Sequence, residues 1–158
     1  RIYVKHAENT TIKNEKKINE LIKKETDAGL LLMSNYESFS ERVNESKLNI
    51  WNFFISAKRS GKKIVGYGAP AKGNTMLNFC GIGKGILEYT VDISPHKQGL
   101  FLPGTHISIK KPEIIKETKP DYVVILSWNF KDEIVQQMSY IREWGGKFVV
   151  LHPKILIF

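Results

Sequence analysis

The chain has 158 residues, 42% hydrophobic and 25% charged, the composition of a globular domain rather than a disordered or fibrous one. A single cysteine, Cys80, excludes a disulfide scaffold, and no apolar run approaches the roughly 18 residues of a membrane span. The net charge of +8 is spread evenly, with 11 basic and 8 acidic residues over 1–60 and 13 and 8 over 61–158, and no nucleic-acid motif accompanies it. Neither nucleic acid nor a membrane is an expected partner.

The opening Arg1 to His6 alternates like a strand, has no signal-peptide architecture and starts on Arg rather than Met, so it reads as part of a longer cytoplasmic protein. Asn9-Thr10-Thr11 predicts a turn. Ile18, Leu21 and Ile22 then recur at helical spacing until Asp27-Ala28-Gly29, with Lys16-Lys17 and Lys23-Lys24 interleaved with Glu15, Glu20 and Glu25 as on a solvated face. Ser34-Asn35-Tyr36-Glu37 reads as a capping box opening a second helix. Its apolar positions Tyr36, Phe39, Val43, Ile50, Trp51 and Phe54 keep a helical period to Lys58, and Ser60-Gly61 ends it. The rhythm of the pattern changes there, so residues 9–60 are expected to form a helical connector and 61–158 the α/β domain. The aromatic-rich second helix is expected to pack on the sheet of that domain.

From residue 62 short β-rich runs alternate with helices: strands are predicted over 63–67, 89–92, 121–126 and 147–151, and helices near 70–79, 112–118 and 130–144. Val123-Val124-Ile125-Leu126 lacks polar alternation, as in strands buried on both faces of a parallel sheet. The predicted fold is therefore α/β, Rossmann-like and doubly wound, with a mainly parallel sheet and an N-terminal helical segment packed on it. Asn129 is placed to cap the last helix, with Asp132 in its first turn and Gly145-Gly146 at its end.

The segment from Lys63 to Thr75 carries the chemistry. A strand runs into Gly66-x-Gly68-x-x-Ala71, the glycine fingerprint with alanine in its third position, and Asp92 stands 26 residues beyond Gly66. Such a turn brings backbone close to a phosphate, and the following helix start offers free amides. Pro70 suits a first helical turn. Lys72 opposes the helix dipole, a conflict that a bound anion removes; otherwise its side chain turns to solvent. A P-loop is excluded because Lys72 precedes Gly73 rather than following it. Asp92 either binds a ribose or caps Ile93-Ser94-Pro95. His96, Lys97 and His106 lie in a long loop after the second strand, where they reach an anion or serve the loop itself. Trp128, beside Asn129, stacks on a base or sugar or covers the sheet. The four histidines, at positions 6, 96, 106 and 152, have no metal-ligand spacing, and no catalytic triad or Cys/His arrangement is present. These residues describe a binding site without a catalytic group or metal of its own.

The runs Gly66-Tyr67-Gly68-Ala69-Pro70-Ala71-Lys72-Gly73-Asn74-Thr75-Met76-Leu77-Asn78, Val91-Asp92-Ile93-Ser94-Pro95-His96-Lys97-Gln98-Gly99 and Leu102-Pro103-Gly104-Thr105-His106-Ile107 strongly resemble the C-terminal domain of the sugar C-methyltransferase family. Trp128-Asn129 and the run from Tyr140 to Val150 extend the resemblance over about residues 60–152. Ser108 and Ser127 stand where that family would be expected to have Pro. The resemblance implies S-adenosylmethionine-dependent methylation of a carbon of a keto-deoxysugar carried on a nucleoside diphosphate. It also implies that residues 1–8 are the last strand of a preceding methyltransferase domain. That missing domain would bind S-adenosylmethionine and carry the catalytic bases, a further segment would bind zinc, and this chain would bind no cofactor itself. The diphosphate would then meet Lys72, Asn74 and the adjacent amides. An NAD(P)-binding oxidoreductase domain is the competing reading, and a scaffold that has lost its ligand is a third.

Overall fold

The apolar run Val123-Val124-Ile125-Leu126 is shared between two cores. Val124 and Leu126 join Phe54, Ile64, Leu77 and Val149 on one face, while Val123 and Ile125 join Val65, Ile134, Ile141 and Phe148 on the other. This period-2 division of wholly apolar strands is what a sheet covered by helices on both sides requires. The structure is a computed structural model that describes residues 4–9 and 15–158.

The elements are α1 (Glu15–Asp27), α2 (Met33–Arg59), β1 (Ile64–Tyr67), α3 (Ala71–Cys80), β2 (Thr90–Val91), β3 (Ile109–Lys110), α4 (Ile114–Thr118), β4 (Tyr122–Ile125), α5 (Lys131–Gln137), β5 (Lys147–Val150) and β6 (Leu156–Ile157). Two 3-10 stretches, Trp128–Phe130 and Ser139–Trp144, flank α5. The sheet order is β3-β2-β1-β4-β5-β6, with β1 to β5 parallel and β6 antiparallel to β5. The chain moves outward from β1 in one direction and resumes at β4 on the other side. Between β1 and β4 lies the switch point at whose carboxyl edge doubly wound folds open a crevice.

Two compact units part inside α2, between Val43 and Asn44. The division does not fall at Ser60-Gly61, because Ile50, Phe54 and Ala57 of α2 are buried in the core of the sheet. The expected packing of the second helix on the sheet therefore holds for its later half. Tyr36 and Phe39, in the other unit, are exposed, as are Ile18, Leu21 and Ile22 of α1.

Several local expectations change. Of the predicted opening strand, residues 1–3 lie outside the described residues and residues 4–6 form no strand; Thr10 and Thr11 of the predicted turn also lie outside them. Ser34 does not cap α2, which already begins at Met33. The turn at Gly29 (φ +71°) leads straight into the helix, and the Leu32 carbonyl accepts from the Asn35 amide at 3.1 Å. The predicted helix over 130–144 tightens after Gln137 into 3-10 winding that keeps Met138 and Ile141 buried alongside Ile134. Asn129 is not a cap, since it lies within the preceding 3-10 turn and Phe130 holds the cap position. The two-residue strands β3 and β6 are too short for alternation to announce them.

Candidate functional site

β1 delivers the chain to the carboxyl edge, where Gly68 (φ +95°) turns it into α3; a Cβ at Gly68 would strike Ser127 Oγ. Gly66 is fixed by its neighbour strand, for a Cβ there would lie 2.7 Å from Thr90 Oγ1. The fully buried Thr90 hydroxyl donates to the Gly68 carbonyl at 2.8 Å, and the Gly68 amide donates to the Val91 carbonyl at 2.6 Å.

Asp92, at the end of β2 and 7% exposed, completes the attachment of this turn. Its Oδ2 accepts from the Ala69 amide at 2.8 Å and from Lys97 Nζ at 3.2 Å, and its Oδ1 accepts from the Ser94 amide at 2.9 Å. Lys97 Nζ also donates to the Ala69 carbonyl at 3.1 Å. Burial pushes the Asp92 carboxyl upward, but the Ser94 and Ala69 amides and the Lys97 ammonium outweigh it and hold it below the usual carboxylate range. Asp92 thus caps the loop after β2 and secures the glycine turn.

Beyond Pro70, the amides of Ala71, Lys72 and Gly73 precede the first intrahelical bond, from the Asn74 amide to the Pro70 carbonyl at 3.0 Å, and have no acceptor within the helix. Lys72 does not simply turn to solvent. Its Nζ donates to Asn129 Oδ1 at 2.7 Å and stands 4.5 Å from the centre of the Trp128 ring, whose other neighbour is His152 at 5.5 Å. Elements 57 residues apart are joined here across the switch point.

The remaining predicted residues divide. His96 is exposed in the turn that carries Lys97, on the same edge. Asn74 Oδ1 accepts from Asn78 and Thr75 Oγ1 donates to the Ala71 carbonyl, so both side chains serve α3 itself. His106 is not brought to the turn. The later part of the expected long loop folds into a hairpin in which Leu102 and Ile107 pair, and Asn78, in the last turn of α3, holds its tip by donating to the Pro103 carbonyl at 3.0 Å. Because α3 runs back toward the amino edge of the sheet, that tip lies at the far end from Gly68.

On the α5 side of the turn a cleft of about 260 Å³ is lined by Tyr67, Gly68, Asp92, Ser127, Glu133 and Gln137, among others. The Tyr67 hydroxyl faces Gln137 Oε1 at 3.4 Å, and burial, with Asp92 and Glu113 adding to it, raises its pKa. Sequence reading overlooked Glu133 and Gln137 as lining residues, although their i,i+4 spacing puts them on one helix face. Larger hollows, of about 360 Å³ beside Lys119 and Trp144 and about 560 Å³ between α2 and residues 151–157, are lined by no residue of the glycine turn. Among the described residues no group of His, Cys, Asp or Glu side chains is placed to hold a metal ion, and no helix is long and apolar enough to cross a membrane.

Comparison with known proteins adds three findings. Residues 1–153 match the family model described as C-methyltransferase C-terminal domain. C-methyltransferase NovU of Streptomyces niveus is 33% identical over 137 residues, which are 87% of this chain and 33% of that protein, so the chain spans about a third of this relative's length. Among solved structures, UDP-D-quinovosamine 4-dehydrogenase from Vibrio fischeri is similar at 20% identity with a TM-score of 0.41, over 56% of this chain and 76% of that one. The glycine turn, the Asp92 attachment and the Trp128-Asn129 corner all lie within the matched span, and the chain belongs to the C-methyltransferase C-terminal domain family.

Proposed function

We propose that this chain is the sugar-nucleotide-binding domain of an S-adenosylmethionine-dependent C-methyltransferase whose substrate is a keto-deoxysugar on a nucleoside diphosphate. The supporting observation is the convergence of Lys72, the first-turn amides of α3 and the Trp128-Asn129 corner at the switch point of the sheet. In this reading the diphosphate draws on the Lys72 charge and the Ala71 to Gly73 amides, and the Trp128 ring offers a face for the base or sugar. His96, on the same edge, is within the polar surroundings of that ligand.

The contribution of these residues is orientation rather than bond chemistry. Loss of the proton alpha to the keto group creates the carbon nucleophile, and the base that takes it belongs to the rest of the enzyme. That part would bind S-adenosylmethionine, which would supply the methyl group as an electrophile, and a further segment would bind zinc. The Lys72 side chain and the helix amides hold the phosphates so that the sugar carbon faces that partner.

Calorimetric titration of the chain with thymidine diphosphate, NADPH and S-adenosylmethionine in turn, repeated with Lys72→Ala, tests this function. Thymidine diphosphate is expected to bind, to lose about tenfold in affinity in the variant, and at 100 times its Kd to stabilise the fold by about 2.7 kcal/mol. Tight binding of NADPH in place of the diphosphate overturns the proposal in favour of an oxidoreductase domain.

A further inference from the structure

Every polar backbone atom of the Gly68-Ala69 turn is already engaged. The Gly68 amide and carbonyl pair with the Val91 carbonyl and the Thr90 hydroxyl, and the Ala69 amide and carbonyl pair with Asp92 Oδ2 and Lys97 Nζ. Pro70 has no N–H to offer. A dinucleotide-binding turn works in the opposite way: amides beyond the second glycine face the pyrophosphate, and the carboxylate at the end of the second strand faces a ribose. In this chain that amide and that carboxylate are bonded to each other, at 2.8 Å.

We infer that Asp92 and Lys97 are positioning residues that clasp the Ala69 peptide and thereby close the glycine turn to a dinucleotide. For Asp92 to receive both hydroxyls of a ribose, Oδ2, already filled by the Ala69 amide and Lys97 Nζ, must give one of them up, stranding a donor at a residue that is only 7% exposed. Lys97 makes that exchange harder, because its ammonium binds both the carboxylate and the Ala69 carbonyl. The fingerprint spacing is thus retained for its shape, a tight strand-to-helix turn, while two of its usual ligand groups, the Ala69 amide and the Asp92 carboxylate, are spent on each other. The inference concerns what the turn rejects and is independent of which anion, if any, α3 receives.

The test uses the isotopically labelled chain, its Asp92→Asn variant and its Lys97→Met variant. Titration with NAD at millimolar concentration is expected to leave the Gly66 to Ala69 amide resonances unmoved, whether or not thymidine diphosphate binds. In Asp92→Asn the Ala69 and Ser94 amides are expected to exchange with solvent roughly tenfold faster while Val65 and Val124 in the central strands keep their protection, which separates a local clasp from general loosening. In Lys97→Met the Asp92 carboxyl, followed by its own carbon resonance, is expected to titrate at higher pH than in the parent chain. Saturable NAD binding at the turn, unchanged Ala69 exchange in a folded Asp92→Asn variant, or an unmoved Asp92 titration in Lys97→Met each overturns the inference.

Discussion

Gly73 of α3 lies directly against Leu126 at the end of β4: a Cβ on Gly73 would stand 3.0 Å from Leu126 Cβ and 3.2 Å from its carbonyl oxygen. The fingerprint spacing assigns the close helix-to-strand approach to Ala71, but Ala71 is exposed and the role falls two residues later. Helix propensity alone favours Gly73→Ala by about 1 kcal/mol. Overpacking opposes it by about 1–3 kcal/mol, and backbone, Cβ and proline-ring neighbours cannot rotate away. Urea denaturation is expected to show a net loss of stability in Gly73→Ala, and a gain would refute the packing argument.

Gly68 and Gly99 both have positive φ, +95° and +82°, but only Gly68 is crowded. Gly99→Ala meets open space and is expected to cost about 1–2 kcal/mol from backbone conformation alone. Gly68→Ala also drives its methyl into Ser127 and is expected to cost at least about 1 kcal/mol more. Thermal unfolding of the two variants side by side measures the difference, and equal costs would place no weight on the Ser127 contact.

Asp92 makes stability depend on pH in acid. Its native pKa lies below the ordinary carboxylate value of about 3.9. The stabilisation is therefore complete above that ordinary value and is lost as pH falls through the lowered native one. Asp92→Asn is expected to be less stable than the parent by about 1–3 kcal/mol at neutral pH, with the gap narrowing below about pH 4. A gap that stays constant down to strong acid would show that the carboxylate charge is not what secures the turn.

Lys72 is exposed, although it contacts Asn129 and the Trp128 ring. An exposed cation–π contact contributes about 0.5–1 kcal/mol. Lys72→Ala is expected to change unfolding free energy by no more than about that amount while weakening diphosphate binding. A large loss of stability would move Lys72 from ligand binding to architecture.

Phe54 is completely buried and meets Phe53 edge-on at 5.1 Å, whereas Phe39 on the same helix is 59% exposed. Phe54→Ala is expected to cost about 3–5 kcal/mol and Phe39→Ala within about 0.5 kcal/mol. Denaturant midpoints of the two variants report whether only the later half of α2 belongs to the core of the sheet.

The sequence by itself determined the class of fold, the four central strands to within one residue at either end, and the glycine turn after the first of them. Those features are written in local pattern: unbroken apolar runs such as Val123 to Leu126, glycines at fixed spacing, and an acid at the end of the next strand. It also carried the family resemblance, because the motif runs are contiguous. Tertiary structure alone decided the partners. That Asp92 spends Oδ2 on Ala69, that Lys72 reaches Asn129 across 57 positions, and that Asn78 holds the Pro103 end of the hairpin that carries His106 depend on contacts between distant segments, which no local spacing encodes. The same holds for α2, whose apolar period runs its full length although only Asn44 onward belongs to the unit that contains the sheet. Periodicity records which residues can be buried, and three-dimensional packing selects those that are.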